Sequence, residues 1–288
     1  MNLTQEERQS LLFYQGSVQG NVLGAVPNHL HKFYAAEEGY QILDMLLFPG
    51  TESEKVRLQI ERRYIDTMFL NNMAELLNVY CNLFSAMCRY TNECESKQDM
   101  HLYRKDRILS WECLKKGQIN TFFSTSQKSK IAAYFTQNKY GILLEEILVS
   151  EKIVHLKVND VLGKYHSYAS EEEVLLPPFL KVHCEDAELT EEEKHLRDCC
   201  GRSPIKKCLV YVEELCLVED YDEMRQKDIH SQILEYSHIE NAKNVWKKIQ
   251  SNIELFPEEE KDYCVWKKWI CDYLRTEYGR IMRENNLN

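Results

Sequence analysis

Glu171-Glu172-Glu173-Val174-Leu175-Leu176-Pro177-Pro178 sets three carboxylates at the head of an apolar strand that two prolines end. Side chains alternate along extended backbone, so Glu171 and Glu173 are expected on one face of that strand and Glu172 on the other. Like charges side by side repel, and so apolar a strand rarely opens on them. The pair becomes tolerable at an open cleft where a cationic group docks. Taken alone, three consecutive glutamates read as a solvated strand edge.

The strand belongs to a β-rich middle. Upstream, His101-Leu102-Tyr103-Arg104 reads as a short strand. Ile119-Asn120-Thr121-Phe122-Phe123-Ser124, β-branched and aromatic, reads as another. A helical turn over 111–116 ends on Gly117, a natural C-cap. Ser126 can cap a helix carrying Ile131, Ala132 and Phe135. Further strands are expected over 141–149, 152–158 and 207–218, with the polar stretch 184–206 as an exposed loop.

Both flanks are helical in pattern. Thr4 with Glu7, and Thr51 with Glu54, form capping boxes. A helical segment over 41–48 stops at Pro49-Gly50. Apolar residues recur at three- and four-residue steps from Ile65 to Met87, from Ile239 to Ile253 and from Trp266 to Ile281. The expected organisation is an N-terminal helical segment over 1–97, a sheet core over 98–220 and a C-terminal helical extension over 221–288. The fold class is α+β.

A chain of 288 residues can bury a real core without disulfides or metals. Gly (10) and Pro (6) are scarce, so tight turns are few and one compact sheet region is expected among helices. The formal charge of −10 argues against general binding to a phosphate backbone, and no nucleic-acid partner is expected. No run approaches about 18 apolar residues, so no membrane span is expected. The N-terminus has no basic region followed by an apolar one, which does not read as a secretory signal. The 11 cysteines are then expected as reduced thiols. A zinc site among His183, Cys184, His195, Cys199, Cys200, Cys208 and Cys216 is the sharper alternative, although no C-x-x-C pair occurs.

Three features in the middle of the chain carry chemistry. Tyr103-Arg104 offers a strand-end guanidinium, whose planar fork suits phosphate oxygens. Phe123-Ser124-Thr125-Ser126 places hydroxyls at a strand-to-helix junction, where they can cap the helix or orient a carboxylate. Glu171-Glu172-Glu173 is the third. In this order and spacing the three resemble the Arg–Ser–Glu class of mono-ADP-ribosyltransferases, of the arginine-specific type, over roughly residues 98–218. The phrase Glu-Glu-Glu-Val-Leu-Leu-Pro-Pro is especially similar to what that family carries. Many relatives have Gly after the strand-end Arg, where this chain has Lys105.

The resemblance implies a split β-sheet core of the ADP-ribosyltransferase type and NAD as co-substrate, with no metal. Glu173 would hold the ribose hydroxyl and stabilise the cation formed as nicotinamide leaves. Ser124 would orient Glu173, and Arg104 would hold the NAD phosphates. Thr125 and Ser126 would line the same NAD site, and Phe135 would pack on the nicotinamide ring. Glu171 would face the acceptor, a protein arginine, with Tyr165 and Tyr168 on the substrate-facing loop. The alternatives are an NAD glycohydrolase and a catalytically inactive binding module of the same fold. The expected location is the cytoplasm, or a host cell reached by an effector or toxin that needs no signal peptide.

Overall fold

A computed structural model of the chain describes residues 3–14, 73–94, 98–107, 114–119, 122–134, 142–163, 172–198, 200–238, 244, 248 and 255–287. The expected helix over 41–48, the Thr51–Glu54 box, the start of the 65–87 face and the 239–253 face lie outside the described residues. Residues 90–216 form one compact unit, and residues 2–89 with 217–288 form another.

The first unit is built on eight strands: β1 (Met100–Arg107), β2 (Gln118–Ile119), β3 (Phe123–Ser126), β4 (Ile142–Val149), β5 (Leu156–Lys157), β6 (Glu173–Leu176), β7 (Leu180–Ala187) and β8 (Lys206–Leu215). Their order in the sheet is β2-β7-β8-β4-β1-β3-β6-β5. β4 and β8 are parallel, and the other neighbours are antiparallel. β1 and β4 pair along their whole length, Met100 opposite Val149 to Arg107 opposite Ile142. β1 and β3 meet only where Tyr103 stands opposite Ser126. The sheet is therefore two arms, β2-β7-β8-β4-β1 and β3-β6-β5, joined at a one-pair seam.

Chain connectivity forces these arms together. Leu176 ends β6 and Leu180 begins β7, four Cα steps that span at most about 14 Å. The same strands are five places apart in the sheet order, about 24 Å if the sheet were flat. The sheet must curl until its arms face each other. The core lies between them, with Phe123, Val174 and Leu176 from the short arm and Leu102, Ile147, Val182 and Val210 from the long one. Buried Pro177 and Pro178 and left-handed Phe179 (φ 64°) make the tight crossing. Gly117 (φ 77°) ends its turn as a C-cap glycine should. Its carbonyl accepts from Val182 N at 2.9 Å, and a Cβ there would stand 3.3 Å from the Val182 carbonyl oxygen.

Two expectations are corrected. Of the strand foreseen over 152–158, only Leu156–Lys157 pairs, and Val158 opens a helix (α4, Val158–Leu162). Ile153 and Val154 are apolar because their loop is buried, at 5% and 1% exposure, and not because they pair. The stretch 184–206 is an exposed loop only in part, although most of its described residues are exposed. It completes β7, then forms a short helix (α5, Glu191–Lys194) with a Thr190–Glu193 capping box. Glu193 and Asp198 within it are buried.

The second unit holds α1 (Gln5–Tyr14), most of α2 (Met73–Glu93), α6 (Glu223–His238) and α7 (Pro257–Glu284). The expected Thr4–Glu7 box is present, with Thr4 N donating to Glu7 Oε2 at 2.8 Å and Glu7 N donating to Thr4 Oγ1 at 3.2 Å. The other Glu7 oxygen accepts from Ser85 Oγ at 2.6 Å and Arg89 Nε at 2.7 Å, so one side chain caps α1 and ties it to α2. On α7, Trp266, Ile270, Leu274, Tyr278 and Ile281 recur at helical steps and are buried. Tyr278 stacks on Phe84 at 4.1 Å between centroids. No described helix is long and apolar enough to cross a membrane.

Candidate functional site

The seam brings Arg104 to Ser124. One step past Tyr103 the two strands separate, and Arg104 reaches across the opening. Its Nη1 donates to the carbonyl oxygen of Ser124 at 2.9 Å. That acceptor takes a side-chain donor where a continuing ladder would have supplied a backbone N–H. The guanidinium also lies over the Phe123 ring, 4.6 Å from its centroid, and its Nε stands 3.9 Å from Glu145 Oε2. The side chain remains 23% exposed.

β3 and β6 pair with Ser126 opposite Glu173, Thr125 opposite Val174 and Ser124 opposite Leu175. Ser124, Ser126 and Glu173 therefore share one face, with Ser124 and Glu173 as diagonal neighbours, a relation that spans about 7–8 Å. Arg104 stands on the face of β1 opposite to Tyr103, so it meets Glu173 through the Ser124 backbone and not on a shared face. Thr125 points the other way. Its hydroxyl donates to the Val174 carbonyl at 2.6 Å and holds β3 to β6. Ser126 Oγ accepts from Lys128 N at 3.2 Å, at the entry to α3 (Ser129–Tyr134).

Glu173 is buried, at 4% exposure, and opens β6. The strand was expected to begin at Glu171. Instead Glu172 has a left-handed backbone (φ 47°), which costs a non-glycine residue about 1 kcal/mol. Extended alternation therefore stops at Glu173, and strand geometry does not by itself put Glu171 and Glu173 on one face. Lys128 Nζ pairs with Glu172 Oε1 at 2.5 Å and ties this bend to the end of β3. Strain beside a buried carboxylate is a mark of functional sites. Glu171, Phe135, Tyr165 and Tyr168 lie outside the described residues.

Sequence reasoning missed the charges beneath this site. Lys105 lies against α3, its Nζ donating to the Ala133 carbonyl and standing 3.9 Å from Asp198 Oδ2. Burial would raise the Asp198 carboxyl. The N–H groups of Arg202 and Cys200, the Lys105 charge and the Arg202 guanidinium more than offset this and hold it below the usual range. Lys207 bridges Glu146 at 2.8 Å and Glu193 at 2.7 Å. Burial opposes the Lys207 charge, but the two carboxylates keep its ammonium above the usual lysine range. Burial and then Glu146 push the Tyr103 hydroxyl up. Glu145, fully buried on β4, is the other omission. Its signal was present: Glu145-Glu146 interrupts the apolar run Ile142–Val149, and a carboxylate in a central strand demands a partner.

Every described cysteine is a free thiol. Among the described residues no three His, Cys, Asp or Glu side chains converge as metal ligands; Cys199, from the zinc alternative, lies outside them. No family model matches the chain, and no curated protein matches it. Among solved structures, the chain is similar to the ADP-ribosyltransferase Vis in complex with agmatine, at 16% identity and a TM-score of 0.34, covering 74% of this chain and 88% of that one. It is also similar to Plx2a, an ADP-ribosyltransferase toxin from Paenibacillus larvae, at 13% identity and a TM-score of 0.31, covering 65% of this chain and 97% of that one.

Proposed function

We propose that the chain is a mono-ADP-ribosyltransferase that moves ADP-ribose from NAD to a protein arginine and releases nicotinamide. The observation that supports this best is the convergence at the seam. Arg104, Ser124 and Glu173, far apart in sequence, are joined by the Arg104–Ser124 bond and the shared face of β3 and β6.

The chemistry such a site can supply follows from charge. When the bond between nicotinamide and ribose C1′ breaks, nicotinamide leaves neutral and positive charge develops on the ribose. A buried carboxylate beside that carbon stabilises the cation more than it stabilises ground-state NAD, which is what accelerates the step. Glu173 takes this role and accepts from the ribose hydroxyl. Ser124 orients Glu173, Arg104 holds the diphosphate, and Ser126 lines the same face. Thr125 supports NAD binding by fixing β3 on β6. Phe135 packs on the nicotinamide ring and fixes the leaving group.

Glu171 governs the acceptor. An arginine guanidinium is protonated near neutral pH and attacks poorly. A carboxylate that pairs with it and takes its proton, as the new bond to C1′ forms, makes transfer feasible. Tyr165 and Tyr168 dock the protein that carries the arginine. A water in the acceptor's place gives NAD hydrolysis at the same site.

The test is Glu171→Gln, assayed by nicotinamide release with and without agmatine and by incorporation of labelled ADP-ribose. The expected result is loss of transfer with slow hydrolysis retained. Equal loss of both would place Glu171 in bond cleavage and remove the support for arginine as acceptor.

A further inference from the structure

We propose that Glu145 is the positioning residue for Arg104: its buried carboxylate orients the guanidinium so that one edge stays on Ser124 and another faces the NAD diphosphate. The inference rests on the NAD chemistry proposed above.

Glu145 stands directly opposite Arg104 in the β1–β4 ladder and opposite Cys208 in the β4–β8 ladder. It is fully buried, on the face that carries the apolar core. A carboxylate there loses its hydration, and only a nearby cation with good geometry makes its burial tolerable. The Arg104 guanidinium stands beside it, Nε 3.9 Å from Oε2. The surrounding thiols sense the charge. Burial first, and then Glu145, pushes up the thiols of Cys184, to about 12, and Cys208.

A guanidinium is a flat group, and three contacts fix its plane. Glu145 draws the Nε edge, the Ser124 carbonyl accepts from Nη1 and the Phe123 ring covers one face. The Ser124 carbonyl and the ring each leave rotation about their own axis. The carboxylate, at 3.9 Å a charge pair and not a hydrogen bond, draws Nε toward β4 and favours the orientation that leaves the remaining edge for the diphosphate. A lysine could not reproduce this, because an ammonium has no plane to orient. Glu145 does not touch substrate, and it acts through Arg104.

Steady-state kinetics of nicotinamide release test the inference. Glu145→Gln is expected to raise KM for NAD about tenfold while kcat stays within about twofold, because Glu173 and Ser124 are untouched and only uniform binding is lost. Glu145→Asp should give a smaller rise. In a double-mutant cycle with Arg104→Lys, the second change should add little to the first, since both act on one contact. A purely structural Glu145 would lower the thermal midpoint and leave the KM of the folded protein unchanged, and that result overturns the inference. So do KM effects of Glu145→Gln and Arg104→Lys that multiply independently. Should Glu145→Gln fail to fold, Glu145→Asp carries the test, because it keeps the charge and moves it by one methylene: a raised KM supports the inference and an unchanged KM overturns it. A wild-type chain that releases no nicotinamide overturns the proposed function and this inference together.

Discussion

Replacing Glu173 by Gln isolates the charge on which the proposed chemistry depends. Gln has the shape of Glu, and the surroundings of Glu173 argue that the backbone will not move. β6 is paired on both sides, with Ser126 opposite Glu173 on one and Leu156 opposite Leu175 on the other. The Thr125 hydroxyl bond to the Val174 carbonyl, at 2.6 Å, pins the next residue. What changes is electrostatic. Opposite charges about 5 Å apart at an effective dielectric of about 20 attract by about 3.3 kcal/mol, a factor of about 250 in rate. At 4% exposure little water reaches Glu173 to replace that charge. The figure falls within the range of about 10²–10³ found when one preorganised electrostatic group is removed. Nicotinamide release, with and without agmatine, should fall by the same factor, because both acceptors await the same cation. Circular dichroism would confirm that the variant is folded. A folded Glu173→Gln that keeps more than about a tenth of the wild-type release rate would refute the role, since the expected loss is about ten times larger or more.

Three further outcomes follow from particular contacts. Arg104 bonds to the backbone carbonyl of Ser124, which an alanine keeps, so Ser124→Ala should lower kcat for nicotinamide release while the thermal midpoint moves by no more than about 2 °C; an unchanged kcat would remove Ser124 from the mechanism. A Cβ on Gly279 would stand 2.2 Å from the Val218 carbonyl oxygen, so Gly279→Ala should destabilise the chain by about 1–3 kcal/mol in denaturant melts despite alanine's better helix propensity, and a stabilised variant would contradict the packing of α7. The Asp198 carboxyl is held below its usual range when folded, so its stabilising effect is complete above the unfolded value of about 3.9 and is lost as pH falls through the lower folded value; Asp198→Asn should be less stable near neutral pH and lose less than wild type on acidification, and parallel curves of thermal midpoint against pH would show that Asp198 contributes nothing to acid sensitivity.

What was legible in the sequence was what repeats or punctuates. The Thr4–Glu7 box, the glycine after the 111–116 turn and the apolar face of α7 each depend on residues close in the chain. β4 and β8 were found from their apolar content, and the α+β class followed. What was not legible depends on partners distant in the chain. The stretch 184–206 looks solvated because it is charged, yet Glu193 is neutralised by Lys207, and Asp198 by Lys105 and Arg202. Composition counts such charges but cannot pair them. Ile153 and Val154 read as strand because burial in a loop selects the same side chains as burial in a sheet. The left-handed turn at Glu172 was hidden for a similar reason, since glutamate gives no sign of positive φ as glycine does. The seam itself was invisible: nothing in Tyr103 or Ser126 tells that they alone join β1 to β3, and that opening is what brings Arg104 to Ser124.

The central claim is a transfer of ADP-ribose from NAD to a guanidinium, and the most direct measurement is the wild-type chain incubated with NAD and agmatine, with nicotinamide and all adenine-containing products quantified by chromatography and mass spectrometry. The account predicts nicotinamide and ADP-ribosyl-agmatine in equal amounts, with little free ADP-ribose. Nicotinamide matched by free ADP-ribose, with no agmatine adduct, would contradict transfer and leave hydrolysis. No nicotinamide at all would contradict the account of the site.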